Sequence, residues 1–309
     1  MPKNYFVLLL AMLYLLPGCG SDQQKKEKSE NMKQSYNLQA LQRELDSLIA
    51  AKNEFIAVSL QLTGQDLYLG IQDSRSVHAA STMKVPVMME VYRQAEQGRF
   101  DLDDSLLIRN RFSSIIDGSP YALDIGEDSA ERLYAMIGQK ESIRSLVIEM
   151  ITSSGNLATN LLIDLVKAEN VRALMSELGA ADMQVLRGVE DMKAFRAGKS
   201  NTTTSKALAR VYQALYQGDI WTEAHRREML DILLDQKFNE KIPAGLPREV
   251  KVAHKTGSIT AIDHDSGIIF PPGLPPYILV VLTKGFEDQK EAEQCIAEIS
   301  AIIYRWYRF

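Results

Sequence analysis

Ser81-Thr82-Met83-Lys84, followed by Val85-Pro86-Val87-Met88-Met89-Glu90-Val91-Tyr92, is the stretch around which the rest of the chain is arranged. Its apolar residues Val85, Val87, Met88, Met89, Val91 and Tyr92 recur with a helix-like rhythm, and the small residues Ala79 and Ala80 precede it. The spacing predicts a buried helix with Ser81 in its first turn and Lys84 one turn later on the same face. A serine hydroxyl is a weak nucleophile until a base takes its proton. A lysine three positions on can reach that hydroxyl, and burial lowers a lysine's pKa toward the range of a useful base. The start of a helix also leaves backbone N–H groups free, which favours negative charge developing there. Alone, the tetrad equally describes an exposed serine cap with a solvated lysine. About one such pair is expected by chance in a chain of this size, so the surrounding sequence must decide.

Toward the N-terminus, Leu38, Leu41, Leu45, Leu48 and Ile49 predict a helix over 36–52. Residues 55–60 and 66–71 read as two strands joined by a turn at Thr63-Gly64-Gln65. Downstream, the Ser81 helix ends near Gly98. A long irregular stretch follows at 101–129, with a turn at Asp117-Gly118-Ser119-Pro120; such stretches are often functional. Helical patterns cover 129–137, 142–151, 157–167 and 171–178, a poorly periodic segment spans 182–201, and helices resume at 203–216 and 222–234. Strands return at 250–258, 267–270 and 277–283, before a last helix at 288–306. Strands at both ends with helices between them predict an α/β (α+β) fold. In it, an antiparallel sheet assembled from both termini is flanked by helices and carries an inserted all-helical lobe.

The 309 residues are 46% hydrophobic and 24% charged, enough for a sizeable core, and the net charge of −5 gives no reason to expect a nucleic-acid partner. The four histidines, His78, His225, His254 and His264, form no metal-ligand spacing, and neither a metal nor a cofactor is implied. Cys295 falls in the last amphipathic helix and reads as a core residue. Lys3 and the apolar run Phe6–Leu16 suit a signal peptide over 1–18 and are short for a membrane span. Leu16-Pro17-Gly18-Cys19 resembles a bacterial lipobox, with Pro17 unusual for it; Cys19 would then carry lipid. Residues 19–35, rich in Ser, Gln, Lys and Glu, read as a flexible tether. The domain occupies 36–309. Export to the bacterial cell envelope, anchorage in a membrane through the N-terminal lipid, and a monomeric state are expected.

Two further motifs separate the tetrad from chance. Ser154-Gly155-Asn156 lies in a turn between two predicted helices, placed to aim two polar side chains into a cleft. Lys255-Thr256-Gly257-Ser258 closes a predicted strand, where glycine permits close approach of a ligand and the lysine and hydroxyls suit a carboxylate. In this order the three motifs resemble those of the penicilloyl-serine hydrolases, and within them the class A β-lactamases. The resemblance covers about 38–304 and includes Asn160-Leu161-Leu162, Arg187 opening an irregular loop and Thr202-Thr203-Thr204 closing it.

The resemblance implies a serine β-lactamase, a hydrolase conferring antibiotic resistance. Ser81 would form the acyl-enzyme and Lys84 would help deprotonate it. Ser154 would relay a proton to the leaving nitrogen, and Asn156 would bind the substrate's side-chain amide. Lys255, Thr256 and Ser258 would hold the substrate carboxylate, and the backbone N–H groups of Ser81 and Ser258 would form the oxyanion hole. Water attack on the acyl-enzyme needs a glutamate on the loop. The family pattern puts it where this chain has Val189, so Glu190, one residue later, is assigned the role, with Asp191 in reserve. Other departures cluster nearby. Gly155 replaces a middle aspartate, and Lys193 stands near a usual asparagine. Asn201 replaces an aspartate that pairs with the loop arginine, so Arg187 is expected to be held by Asp191 or by packing. No arginine occurs between Arg248 and Arg305 to supply an extra cation, and the chain is longer than usual near 109–129. Two other readings share the nucleophile: a D-alanyl-D-alanine peptidase acting on cell-wall peptides, and a penicillin-binding or sensing lipoprotein without turnover.

Overall fold

The computed structural model describes residues 38–308. The expected signal peptide, Cys19 and tether lie outside them. Contacts divide the chain at Arg43 and Glu44. Residues 38–43 are helical, and Glu44–Phe309 forms one compact unit that holds the sheet, the lobe and the candidate site.

The elements run in chain order as α1 (38–50), β1 (Phe55–Leu62), β2 (Tyr68–Ile71), β3 (Val77–His78), a 3₁₀ segment (Ala80–Met83) and α2 (Lys84–Glu96). Next come β4 (Ser105–Leu107), β5 (Phe112–Ser113), β6 (Pro120–Tyr121), β7 (Lys140–Ser142), α3 (Ile143–Thr152), α4 (Asn156–Val166), α5 (Ala168–Glu177) and α6 (Met192–Arg196). The chain closes with β8 (Thr202–Thr203), α7 (Ser205–Gln217), α8 (Glu223–Leu234), β9 (Lys251–Ile259), β10 (Ile262–Phe270), β11 (Tyr277–Lys284) and α9 (Gln289–Tyr307).

The main sheet has the order β2-β1-β11-β10-β9 and is antiparallel throughout. The expectation of a sheet assembled from both ends of the chain holds. Strands β1, β10 and β11 are buried along nearly their whole length, because α7 and α9 both pack on the sheet. Two covered faces explain why Tyr277-Ile278-Leu279-Val280-Val281-Leu282 is a continuous apolar run and shows no alternation. The same burial hid the start of β10. Asp263, His264, Asp265 and Ser266 are fully or almost fully buried, and being polar they carry no apolar pattern to extend the expected strand back from 267.

In the inserted lobe, α2 is packed against α3, α4, α5 and α8 and is buried almost all round. Pro86 is tolerated in its first turn, where the missing N–H has no helical partner to lose. The lobe is not purely helical. β4 pairs with β7 and β5 with β6, and the helix expected at 129–137 is a 3₁₀ turn at Glu131–Met136. The 3₁₀ segment that carries Ser81 lies against β9 and β10, so the lobe meets the sheet at its β9 edge.

Candidate active site

The cleft at that edge has an accessible volume of about 250 Å³ and is lined by Ser81, Ser154, Asn156, Lys241, Thr256, Gly257 and Ser258, among others. All three sequence motifs therefore converge on one site. Ser81 stands in the 3₁₀ turn that feeds α2, half-buried, after Ala80 in the left-handed region (φ 46°). Its turn is tied down by Ala79 N–H to the Asn201 carbonyl and by Thr82 Oγ1 to the Ala79 carbonyl. A Cβ on Gly257 would sit 2.9 Å from the Ser81 nitrogen and 3.1 Å from that of Thr82, so only glycine lets β9 run this close to the nucleophile.

Lys84 is fully buried, and its Nζ donates to the Ser154 carbonyl (2.6 Å), Asn156 Oδ1 (2.9 Å) and Ser154 Oγ (3.2 Å). Burial pulls its pKa from 10.5 to about 7, against the opposing pull of Asp128 and Glu190. A neutral amine is thus available close to neutral pH. Lys255 Nζ reaches the same Ser154 Oγ from β9, at 3.1 Å, and burial with the Lys84 charge beside it holds its pKa well below the usual range. One hydroxyl is therefore bracketed by two amines, an arrangement suited to passing a proton. Ser154 itself is in the left-handed region (φ 56°), a strained position of the kind that collects at functional sites.

Glu190 also has a left-handed backbone (φ 61°). Its Oε2 accepts from Asp124 N–H (2.9 Å), while Oε1 is buried without a hydrogen-bond partner among the described residues. Burial raises its pKa, and the charges of Asp128 and Asp124 push the same way. It lies close enough to Lys84 for the two charges to interact. Val189, where the family pattern puts the glutamate, is spent differently: its N–H and carbonyl are both bonded to the Asn160 amide, at 2.6 and 3.0 Å. Asp191, the reserve candidate, has its carboxylate engaged in the loop. It is buried, and its carboxylate accepts from Ser114 Oγ, Ile115 N–H and the Ala194 N–H that opens α6.

Arg187 is buried, and backbone carbonyls and packing hold it: Nε donates to Lys199 and Nη1 to Gly188, with Phe195 under the guanidinium. Asn201 closes the loop through the backbone, accepting from Leu186 and Arg187 N–H and donating to the Arg187 carbonyl. Asp191 is near enough to act on the guanidinium charge without bonding to it.

Two functional candidates were not visible in the sequence. Asp128 accepts from the Asn156 and Leu157 N–H groups at the start of α4, and from Ala130 N–H and the Tyr134 hydroxyl. It supplies from the long segment a carboxylate next to Gly155. Lys241, buried at the cleft wall, donates to Ser258 Oγ (2.6 Å) and Asp263 Oδ1 (3.0 Å), and Ser258 Oγ donates to the same carboxylate oxygen. A cation thus stands beside the β9 hydroxyls although no arginine does. Neither residue sits in a motif, and nothing in Asn239-Glu240-Lys241 marks its lysine as buried. Among the described residues, no cluster of His, Cys, Asp and Glu is gathered to hold a metal ion.

The model of the β-lactamase enzyme family matches residues 40–307. The chain belongs to that family. It is similar to β-lactamases of Nocardia asteroides (32% identity over 167 residues, 52% of this chain and 54% of the relative) and Streptomyces fradiae (29% over 164 residues, 52% and 54%). The aligned region spans about half the length of these two relatives. Similarity to a β-lactamase of Bacteroides uniformis is lower, 21%, but covers 98% of both chains. Among solved structures, a PBP-A mutant in an acyl-enzyme complex with penicillin G superposes with a TM-score of 0.76 at 25% identity, over 88% of this chain and 97% of that one. A β-lactamase from Sphaerobacter thermophilus gives a TM-score of 0.72 at 25% identity, over 86% and 97%. The fold is that of these two structures.

Proposed function

We propose that the chain is an exported serine β-lactamase that hydrolyses the β-lactam amide through an acyl-enzyme on Ser81. The observation that carries this reading is the convergence of Lys84 and Lys255 on Ser154, which lines the same cleft as Ser81, with a half-buried carboxylate, Glu190, close enough to act on the Lys84 charge. Ser81 Oγ attacks the β-lactam carbonyl carbon as Lys84 takes its proton. The C–N bond breaks, and Ser154 passes a proton to the leaving nitrogen. Backbone N–H groups of Ser81 and Ser258 stabilise the oxyanion, each such donor being worth about 3 kcal/mol of barrier. Glu190 then takes a proton from water, which attacks the ester and frees Ser81. Asn156 binds the substrate's side-chain amide. Lys255, Thr256 and Ser258 hold the substrate carboxylate, with Lys241 as the added cation. The proposed enzyme acts as a monomer. Lipid on Cys19 would hold the domain at the cell envelope, where it confers resistance.

Glu190→Gln tests the deacylation step. The variant should acylate with penicillin at the parental rate and then hold the adduct. Parental turnover by this variant would remove Glu190 as the base. A parent protein whose own adduct persists for hours would point instead to the cell-wall peptidase or the sensing lipoprotein.

A further inference from the structure

The long segment at 109–129 touches the loop that carries Glu190 at every turn. From β5 and its turn, Ser114 Oγ and Ile115 N–H donate to Asp191, at 2.8 and 2.9 Å. From the same turn, Asp117 and Ser119 accept from Lys193 Nζ. From β6, the Tyr121 hydroxyl meets the Asn160 amide, and a Cβ on Gly188 would lie 2.7 Å from that hydroxyl. Beyond β6, Asp124 N–H donates to Glu190 Oε2. On the other side of the loop, Asn160 of α4 fixes Val189. Glu190 thus stands between two pinned neighbours, with one carboxylate oxygen pinned as well. A non-glycine residue in the left-handed region persists only where its surroundings over-determine it. Here those surroundings are α4 on one side and the inserted segment on the other.

We propose that the segment 112–124 is a clamp that sets the position of Glu190 and thereby the rate of acyl-enzyme hydrolysis, with Asp124 as a positioning residue acting through its backbone N–H. The proposal rests on the reading of Glu190 as the water-activating base. It accounts for a glutamate one residue late in the loop: the side chain is received by a donor that comes from the extra chain length. The clamp also tunes the carboxylate. The groups facing Glu190 are Asp124 from this segment, Asp128 just beyond it, Lys84 from α2, Tyr134 from the 3₁₀ turn and the Asn156 amide. An N–H donated to the ionised form favours it, so the Asp124 N–H opposes the upward push of burial and of the two aspartates.

Asp124 has φ −86°, which proline accommodates, so Asp124→Pro deletes the N–H, while Asp124→Ala keeps it and removes the same side-chain charge. Acylation and deacylation rates with benzylpenicillin are measured for both, beside Ser114→Ala and Glu190→Gln. Relative to Asp124→Ala, Asp124→Pro should acylate within twofold, deacylate at least about tenfold more slowly, and show the acid limb of deacylation moved to higher pH. Ser114→Ala, which frees Asp191, should slow deacylation without slowing acylation. Equal deacylation rates and equal acid limbs for the two Asp124 variants, with Glu190→Gln trapped, would overturn the clamp while leaving the base in place. If Asp124→Pro fails to acylate, parental deacylation by Ser114→Ala overturns the proposal. Free turnover by Glu190→Gln would overturn the base, and the clamp with it.

Discussion

Replacing Lys241 with methionine separates two consequences of one buried cation. Lys241 and Asp263 are both almost fully buried, 3.0 Å apart, and share Ser258 Oγ. Lys241→Met leaves Asp263 buried with its charge uncompensated, and breaking such a pair costs about 3–5 kcal/mol. Lys241→Met/Asp263→Asn removes both charges and should recover most of that stability. Catalysis should not recover with it. A charge-assisted hydrogen bond to the substrate carboxylate is worth about 1.5–3 kcal/mol, or about 10- to 150-fold in kcat/KM. The assay is hydrolysis of a chromogenic cephalosporin as the free acid and as its methyl ester, alongside urea unfolding. The double variant should be folded, lose the stated factor on the acid, and change little on the ester. A stable double variant whose kcat/KM on the acid stays within twofold of the parent would refute Lys241 as the carboxylate's cation.

Gly257→Ala should slow acylation by about 100-fold, because its Cβ meets the backbone nitrogens of Ser81 and Thr82; stopped-flow acylation beside circular dichroism checks this. The pH dependence should have two separable parts. Acylation rises as Lys84 loses its proton through about pH 7, while deacylation has its own acid limb, moved upward from the ordinary glutamate range because burial raises the pKa of Glu190. Pre-steady-state rates across pH read both. Lys84 binds fewer protons folded than unfolded between about 7 and 10.5, so its contribution to stability rises with pH across that window, which urea unfolding at pH 7 and 9 detects. Asp128→Ala orphans the Asn156 and Leu157 N–H groups at the start of α4 and should cost about 1–3 kcal/mol, lowering Tm by up to about 10 °C in a thermal melt.

The parts of the fold legible in the sequence are those with one buried face or a local motif. Ser205–Gln217 carries a helical period because one side of it packs on the core. Ser81 to Lys84 is readable because four residues hold its chemistry. Asp263, His264 and Asp265 defeated the reading because they are polar and buried, their partners being Lys241, His78 and His254, far from them in the chain. Of the two expected ways of holding Arg187, Asp191 or packing, the structure shows the second kind, with two backbone carbonyls and the Phe195 ring meeting the guanidinium, and carbonyl positions leave no trace in a side-chain pattern. Asp128 and Lys241 reach the site from irregular segments, where residue spacing says nothing about direction. The displaced glutamate was legible as a departure. What receives it, the Asp124 N–H, is a backbone group that no side-chain pattern encodes.

The most direct test of Ser81 as the nucleophile is the intact mass of the domain followed over time after mixing with benzylpenicillin, beside Ser81→Ala. The predicted result is a gain of one penicillin mass that appears and then decays to the free protein, and no gain in the variant. A parent protein that never gains mass with several β-lactams, or a variant that gains it equally, would contradict the assignment of Ser81 as the nucleophile of a β-lactamase.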